Sequence, residues 1–245
     1  MNLTGITRVR NESLIIADTI HHYLKHCDQI ILYDDCSTDE TINIAQREGG
    51  NRIKVIPGDY WRTNRVLEET RHRGLLLDLA KQAGADWCFC FDADERLIGS
   101  LPGTPPANCN GYRFRLFDGY LTPQNRGPYS GGQLADLPRE WGPEYRDILM
   151  MFRVDTARYA GLDQREPIVQ GTVMLANSMV KHYGKCLSVD QWEETCDYYA
   201  TYFPQRYKAK WLARKGKAIH TKSDFGRPLY QWHHLIMQKH AWIKI

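Results

Sequence analysis

Two rhythms of apolar and polar positions share the first hundred residues. Residues 4–9 (Thr-Gly-Ile-Thr-Arg-Val), 29–33 (Gln-Ile-Ile-Leu-Tyr), 53–56 and 87–91 (Trp-Cys-Phe-Cys-Phe) are short, mostly apolar runs that predict strands. Between them apolar positions recur every three or four residues. Leu14, Ala17, Ile20 or His21, and Leu24 predict one helix, and Leu67, Thr70, Gly74, Leu77 and Ala80 or Lys81 predict another over 66–83. Asn11 is a candidate N-cap for the first of these. Ser37 with Glu40 three residues on reads as a capping box, which opens a helix running to about Glu48 and closed by Gly49-Gly50. The order β-α-β-α-β-α-β calls for a mostly parallel sheet with helices on both faces.

The second half is less regular. Residues 99–110 are rich in proline and glycine and predict a loop. Gly111 to Phe117, Asp147 to Val154 and Gly171 to Asn177 predict strands. Residues 118–146 hold many Gly, Pro, Tyr and Arg, and read as one long loop of the kind that forms lids or binding surfaces. Ser188 to about Arg214 reads as helical, and the basic stretch 216–245 as ending in a last helix. No repeat or linker divides the chain, so a single domain over 1–245 is expected.

Composition adds exclusions. The 245 residues carry a net charge of +3, too small to argue for nucleic acid. No apolar run approaches the roughly 20 residues of a membrane span. Met-Asn-Leu-Thr-Gly lacks the basic and apolar regions of a signal peptide, so a cytoplasmic location is the expectation. Seven scattered cysteines read as reduced, buried thiols. Cys88 and Cys90 share one face of an apolar strand and read as core, since a zinc site needs two further ligands.

The candidate chemistry lies at strand ends. Side chains alternate along a strand, so Asp92 and Asp94 project the same way where the run 87–91 stops. Paired carboxylates repel unless a cation or donors separate them, and oxygen ligands suit Mg²⁺ or Mn²⁺. The plainer alternative is a solvated acidic turn. Arg10 to Glu12 and Asp34-Asp35 make two further strand ends polar, which a nucleotide site would explain.

Three motifs then occur in order: Val9-Arg10-Asn11-Glu12, Tyr33-Asp34-Asp35-Cys36-Ser37-Thr38-Asp39, and Phe91-Asp92-Ala93-Asp94-Glu95. Together they resemble family 2 glycosyltransferases of the GT-A fold, in the branch with an Arg-Asn-Glu start and an Asp-Ala-Asp-Glu metal motif. The likeness is specific over residues 4–98 and thinner beyond 110. There Arg165-Glu166-Pro167 stands where the branch often has His-Glu, and Lys181-His182-Tyr183-Gly184 is similar to its late His-Tyr pair. The resemblance implies an α/β GT-A domain. Residues 1–98 would bind the nucleotide sugar, and 99–245, with C-terminal helices, the acceptor. Val9, Arg10 and Glu12 would border base and ribose, and Asp34 would accept from the base unless it only closes the strand end. Arg71 would approach a phosphate, with Arg73 its rival. Asp92 and Ala93 would meet the sugar nucleotide, and Asp94, Asp92 and His182 would hold Mn²⁺ or Mg²⁺. His182 reads equally as a core histidine.

The implied reaction moves a sugar from a nucleoside diphosphate sugar, a UDP-sugar first among them, to a glycan or other hydroxyl acceptor with inversion. Glu166 is the first candidate for the base and Asp147 the second. Tyr129, Trp141 and Tyr145 are candidates to stack on sugar rings, or are simply packed. The rivals are a non-catalytic nucleotide- or glycan-binding relative and a nucleotidyltransferase. The latter should carry a glycine-rich turn after the first strand, where this chain has Arg10-Asn11-Glu12.

Overall fold

The computed structural model describes residues 1–60 and 65–245. In chain order the main elements are β1 (Leu3–Val9), α1 (Ile16–Tyr23), β2 (Gln29–Asp34), α2 (Thr41–Gly49), β3 (Ile53–Pro57), α3 (Arg65–Gln82) and β4 (Trp87–Cys90). Then come β5 (Glu95–Ile98), β6 (Cys109–Tyr120), β7 (Glu140–Arg153), β8 (Ala157–Arg158), β9 (Ile168–Val169) and β10 (Thr172–His182). The C-terminal part holds α4 (Val189–Tyr202), α5 (Gln205–Leu212), β11 (Tyr230–Gln231), α6 (Trp232–Met237) and β12 (Ile243–Lys244). Two compact units emerge. One comprises Met1–Asp94, Gly99–Phe114 and Ile148–Ser178, and the other Glu95–Ile98, Arg115–Asp147 and Met179–Ile245.

In the first unit the strands run β3-β2-β1-β4 in parallel, and β7 joins β4 antiparallel through Trp87↔Arg153 and Phe89↔Met151. Alternation sorts the side chains onto two faces. Ile6, Ile31, Tyr33, Cys88 and Cys90 share a core with Leu76, Leu77 and Ala80 of α3. On the opposite face Tyr23 of α1 stacks on Phe91 with centroids 3.6 Å apart. Such a pair contributes about 1 kcal/mol beyond its buried area. Gly5 makes room for it, because a Cβ there would lie 3.0 Å from the Phe91 ring. The α/β arrangement with helices on both faces is therefore as the sequence predicts, and Cys88 and Cys90 are core residues. All seven cysteines are free thiols, and burial pushes Cys90 up.

The local readings need correction in three places. Neither predicted cap forms. Ser37 Oγ accepts from Asn11 N instead of from its own helix, and Asp39 caps α2 by accepting from Thr41 N at 3.0 Å. Asn11 takes a positive φ of 53°, which Asn tolerates, and accepts from Thr38 N through Oδ1 at 2.8 Å. The stretches after β1 and β2 are thus zipped to each other, and that linkage overrides helix capping. Second, the inward face of α3 keeps Thr70, Leu77 and Ala80 of the predicted stripe but not Leu67, which is exposed, and it also takes in Arg65, Glu68, His72, Arg73 and Leu76. Third, the irregular stretch 118–146 shrinks, because β6 extends to Tyr120 and β7 begins at Glu140. Residues 59–64, rich in Tyr, Trp and Arg, read from the sequence as a loop, and 61–64 of them lie outside the described residues.

The second unit is aromatic. β5 pairs antiparallel with β10 through Val180↔Leu97 and His182↔Glu95, while the short β11 and β12 pair with the start of β7. Trp141 is buried, edge-on to Tyr183 and Trp232, and Phe117 packs against Tyr145 and Trp242. Tyr129 is also buried. The three aromatics considered for sugar stacking are thus packed against the protein's own residues. Ser188 caps α4 by accepting from Gln191 N, and Pro204 splits the predicted helical stretch into α4 and α5. Among the described residues no helix is long and apolar enough to cross a membrane.

Candidate functional site

The four parallel strands carry their C-terminal ends to one edge. Their order reverses between β1 and β4, because β2 and β3 are laid down on one side of β1 and β4 on the other. This edge is therefore a topological switch point, the usual ligand position in open α/β sheets. Arg10 to Glu12 follow β1 and Asp92 follows β4. The turn after β4 is tied down by Thr19 of α1, whose Oγ1 donates to Ala93 O at 2.7 Å.

The inward face of α3 supplies a chain of alternating charge to these strand ends. Arg165 Nη1 lies 3.0 Å from Asp92 Oδ2, and Arg73 Nη2 lies 2.8 Å from Asp92 Oδ1. Arg73 also bonds Glu69 Oε1 at 2.5 Å and Cys90 Sγ at 2.9 Å. Glu69 pairs with Arg8, which reaches Asp35 at 2.6 Å, and Asp35 pairs with Arg65. Burial alone would lower Arg73 and raise Glu69. Their mutual attraction, helped by Asp92 and Arg8, outweighs it and holds Arg73 well above its ordinary value and Glu69 below. His72 stacks on Tyr33 and contacts Glu68 at 3.0 Å; burial and then the Arg8 and Arg71 charges lower it to about 3, so it is neutral.

The sequence-derived candidates fall out as follows. Asp34 is buried and its Oδ1 accepts from Ser37 N at 3.1 Å, which closes the strand end. Val9 is buried at the end of β1, Arg10 donates to Asp35 O and Cys36 O, and Glu12 N donates to Thr41 Oγ1. Arg71 turns outward to Glu68 at 2.7 Å and Asp59 at 3.6 Å, so it is Arg73 that reaches the acid after β4. Glu166 does not face Arg165, as its sequence neighbour suggested. Its Oε2 accepts from Arg113 Nη2 at 2.6 Å and from Leu149 N at 3.2 Å. Asp147 and His182 belong to the second unit, where Asp147 pairs with Lys244 at 2.6 Å and His182 Nδ1 lies 2.6 Å from Asp118 Oδ1.

Sequence reasoning missed Arg8, Arg65, Glu68, Glu69 and His72. The available signal was the spacing 65, 68/69, 72/73 on α3, which continues the apolar 76/77 and 80 positions as one helical stripe.

Of the three expected metal ligands, Asp92 and His182 are held by protein partners. Both oxygens of Asp92 are engaged by guanidinium groups, and His182 is engaged through Nδ1 by Asp118. Among the described residues no group of three or more His, Cys, Asp or Glu has metal-holding geometry.

Asp118 is a separate focus in the second unit, with Arg146 and Lys185 each at 2.8 Å and Lys185 bridging on to Asp224 at 2.7 Å. Burial would raise its carboxyl, but Lys185, Arg146 and His182 outweigh that and hold it well below 3.8. A depressed carboxyl contributes stability that is present above its unfolded value and lost as pH falls through the folded one. Acid should therefore begin to weaken the fold below about pH 4. Asp118→Asn is expected to lower the urea midpoint at pH 7 and to narrow its gap between pH 7 and pH 3; parallel wild-type and variant curves would disprove this.

Comparison with known proteins brings out solved structures of low sequence identity. No family model matches the chain, and no curated protein matches it. Among solved structures, 4-diphosphocytidyl-2C-methyl-D-erythritol synthase from Anaerococcus prevotii is similar at 8% identity with a TM-score of 0.34, covering 97% of this chain and 94% of that one. Mannose-1-phosphate geranyltransferase from Thermus thermophilus is similar at 9% identity with a TM-score of 0.33, covering 93% of this chain and 71% of that one.

Proposed function

We propose that this protein is a nucleotide-sugar-dependent glycosyltransferase whose donor lies at the switch point between β1 and β4. The observation that carries the reading is the strand-end edge itself, where Arg73 and Arg165 both meet Asp92 after β4, next to the reversal of strand order. A nucleoside diphosphate carries about two negative charges, which guanidinium groups neutralise with forked hydrogen bonds. The buried Asp34 at the end of β2 supplies a carboxylate to read an N–H on the base edge. Three motifs resembling family 2 glycosyltransferases support the same assignment, with a UDP-sugar as first choice of donor.

In an inverting transfer the acceptor oxygen attacks the anomeric carbon. The bond from that carbon to the diphosphate oxygen breaks, and the leaving nucleoside diphosphate keeps the electron pair. The acceptor's proton passes to a carboxylate, for which Glu166 is the candidate. The positive residues stabilise the charge that builds on the leaving diphosphate.

The test separates three readings. The protein is incubated with UDP-, GDP- and dTDP-sugars and a panel of glycan acceptors, and with nucleoside triphosphates plus sugar 1-phosphates. Release of nucleoside diphosphate with acceptor glycosylation is the expected result. Pyrophosphate release would mark a nucleotidyltransferase. Tight donor binding with neither product would mark a binding module.

A further inference from the structure

We propose that Arg165 is a built-in cation. As a fixed side chain it supplies the positive charge that a divalent metal would bring to Asp92, so nucleoside diphosphate binding proceeds without a metal. This rests on the function proposed above and specifies how its site holds the diphosphate.

Three features of the first unit carry it. The Asp92 carboxylate is bracketed, with Arg73 on Oδ1 at 2.8 Å and Arg165 on Oδ2 at 3.0 Å. A metal drawn to this carboxylate would meet two guanidinium charges already in place, and like charges repel at that range. The two arginines are also unequal. Arg73 is buried, and Glu69 and Cys90 engage its other nitrogens. Arg165 keeps a quarter of its side-chain surface in solvent, as Asp92 keeps 29%. Arg165 is therefore the cation of the pair that a solvent-borne anion meets first.

The third feature is how the Arg165 segment is held. It is strapped to α3 and to the core strand. Asp163 N donates to Val66 O at 2.9 Å, Gln164 N to Thr70 Oγ1 at 2.9 Å, and Tyr159 OH to Arg165 O at 3.3 Å. The same Tyr159 hydroxyl lies 3.8 Å from Cys90 Sγ on β4. Asp163 adopts a positive φ of 55°, so the backbone accepts an uncommon conformation to make this connection. A surface ion pair needs no such scaffold. Positive charge placed in advance costs no reorganisation when the anion arrives.

The experiment is calorimetric titration of UDP, GDP and dTDP into the wild type and into Arg165→Gln and Arg165→Lys, each with EDTA and with Mn²⁺. Wild type should bind at least one of the three in EDTA with a Kd within about threefold of the Mn²⁺ value. Arg165→Gln should bind that nucleotide about tenfold or more weakly in EDTA. Mn²⁺ should restore much of the loss, because a cation then meets one guanidinium charge fewer at Asp92. Arg165→Lys keeps the charge and should bind in EDTA within several-fold of wild type, which guards against a variant that fails for folding reasons. A wild type that loses tenfold or more in EDTA overturns the inference and leaves the proposed function standing. Arg165→Gln binding like wild type in both buffers overturns it as well. No binding of any nucleotide by wild type in either buffer removes the proposed function and the inference with it.

Discussion

Asp35→Asn should cost the protein about 3–5 kcal/mol of unfolding free energy, the range seen when one partner of a buried ion pair is removed. Asp35 is 2% exposed at its side chain and Arg65 is 0% exposed. Arg8 Nη2 also reaches Asp35 at 2.6 Å. Asparagine keeps the shape and an acceptor oxygen but removes the negative charge, so the buried Arg65 guanidinium would lose this carboxylate. By contrast, Arg47 and Glu48 pair on the surface at 67% and 22% exposure, and breaking that pair should leave the urea midpoint nearly unchanged. Urea denaturation at pH 7 reads both. A double replacement, Asp35→Leu with Arg65→Met, removes the charges together and should recover most of the loss, since apolar substitutes for a buried pair are often neutral or better. A loss of under about 1 kcal/mol for Asp35→Asn, or a double variant as unstable as the single, would show that the network does not hold the strand ends.

That network marks the boundary of what the chain discloses by pattern. The parallel half was legible because its strands are buried on both faces, so they read as apolar runs with nothing to dilute them. The polar edge that carries the candidate site was legible as a pattern for the same reason, since each run stops at Asp34, Asp92 or Arg10. The inward face of α3 was not. Arg65, Glu68, His72 and Arg73 have side chains normally found in water, and only their partners make burial acceptable. Those partners are distant in sequence, as Arg8 is from Glu69 and Asp92 is from Arg165. A helix with a charged stripe therefore looked as if it faced outward there. The start of β7 failed for a different reason. Gly142 and Pro143 signal a turn, yet they lie inside the strand, with Gly142 close against Tyr120 and Ser223. Arg165 and Glu166 are adjacent in sequence, but along an irregular segment neighbours can face apart, and these reach Asp92 and Arg113 respectively.

Glu166→Gln should lower turnover by about 10²- to 10⁴-fold while donor binding and stability stay near wild type, the loss expected when a positioned general base is removed. The geometry makes the substitution a clean one. Glu166 Oε2 accepts from Arg113 on β6 and from Leu149 N on β7, and glutamine offers an oxygen for both. The side chain is 30% exposed and its arginine partner 37%, so the lost ion pair should cost no more than about 1 kcal/mol. Stability and rate thus respond very differently, and a purely structural Glu166 could not produce that split. Asp147 is the comparison. It is paired with Lys244 in the second unit, and Asp147→Asn should leave turnover within about tenfold of wild type if Glu166 is the base. Single-turnover rates with saturating donor, beside titrations of the same variants, give the two quantities separately. A Glu166→Gln rate within tenfold of wild type together with a large loss in Asp147→Asn would transfer the role to Asp147. A product with retained anomeric configuration would remove the need for a base on the acceptor side and with it this account of the chemistry.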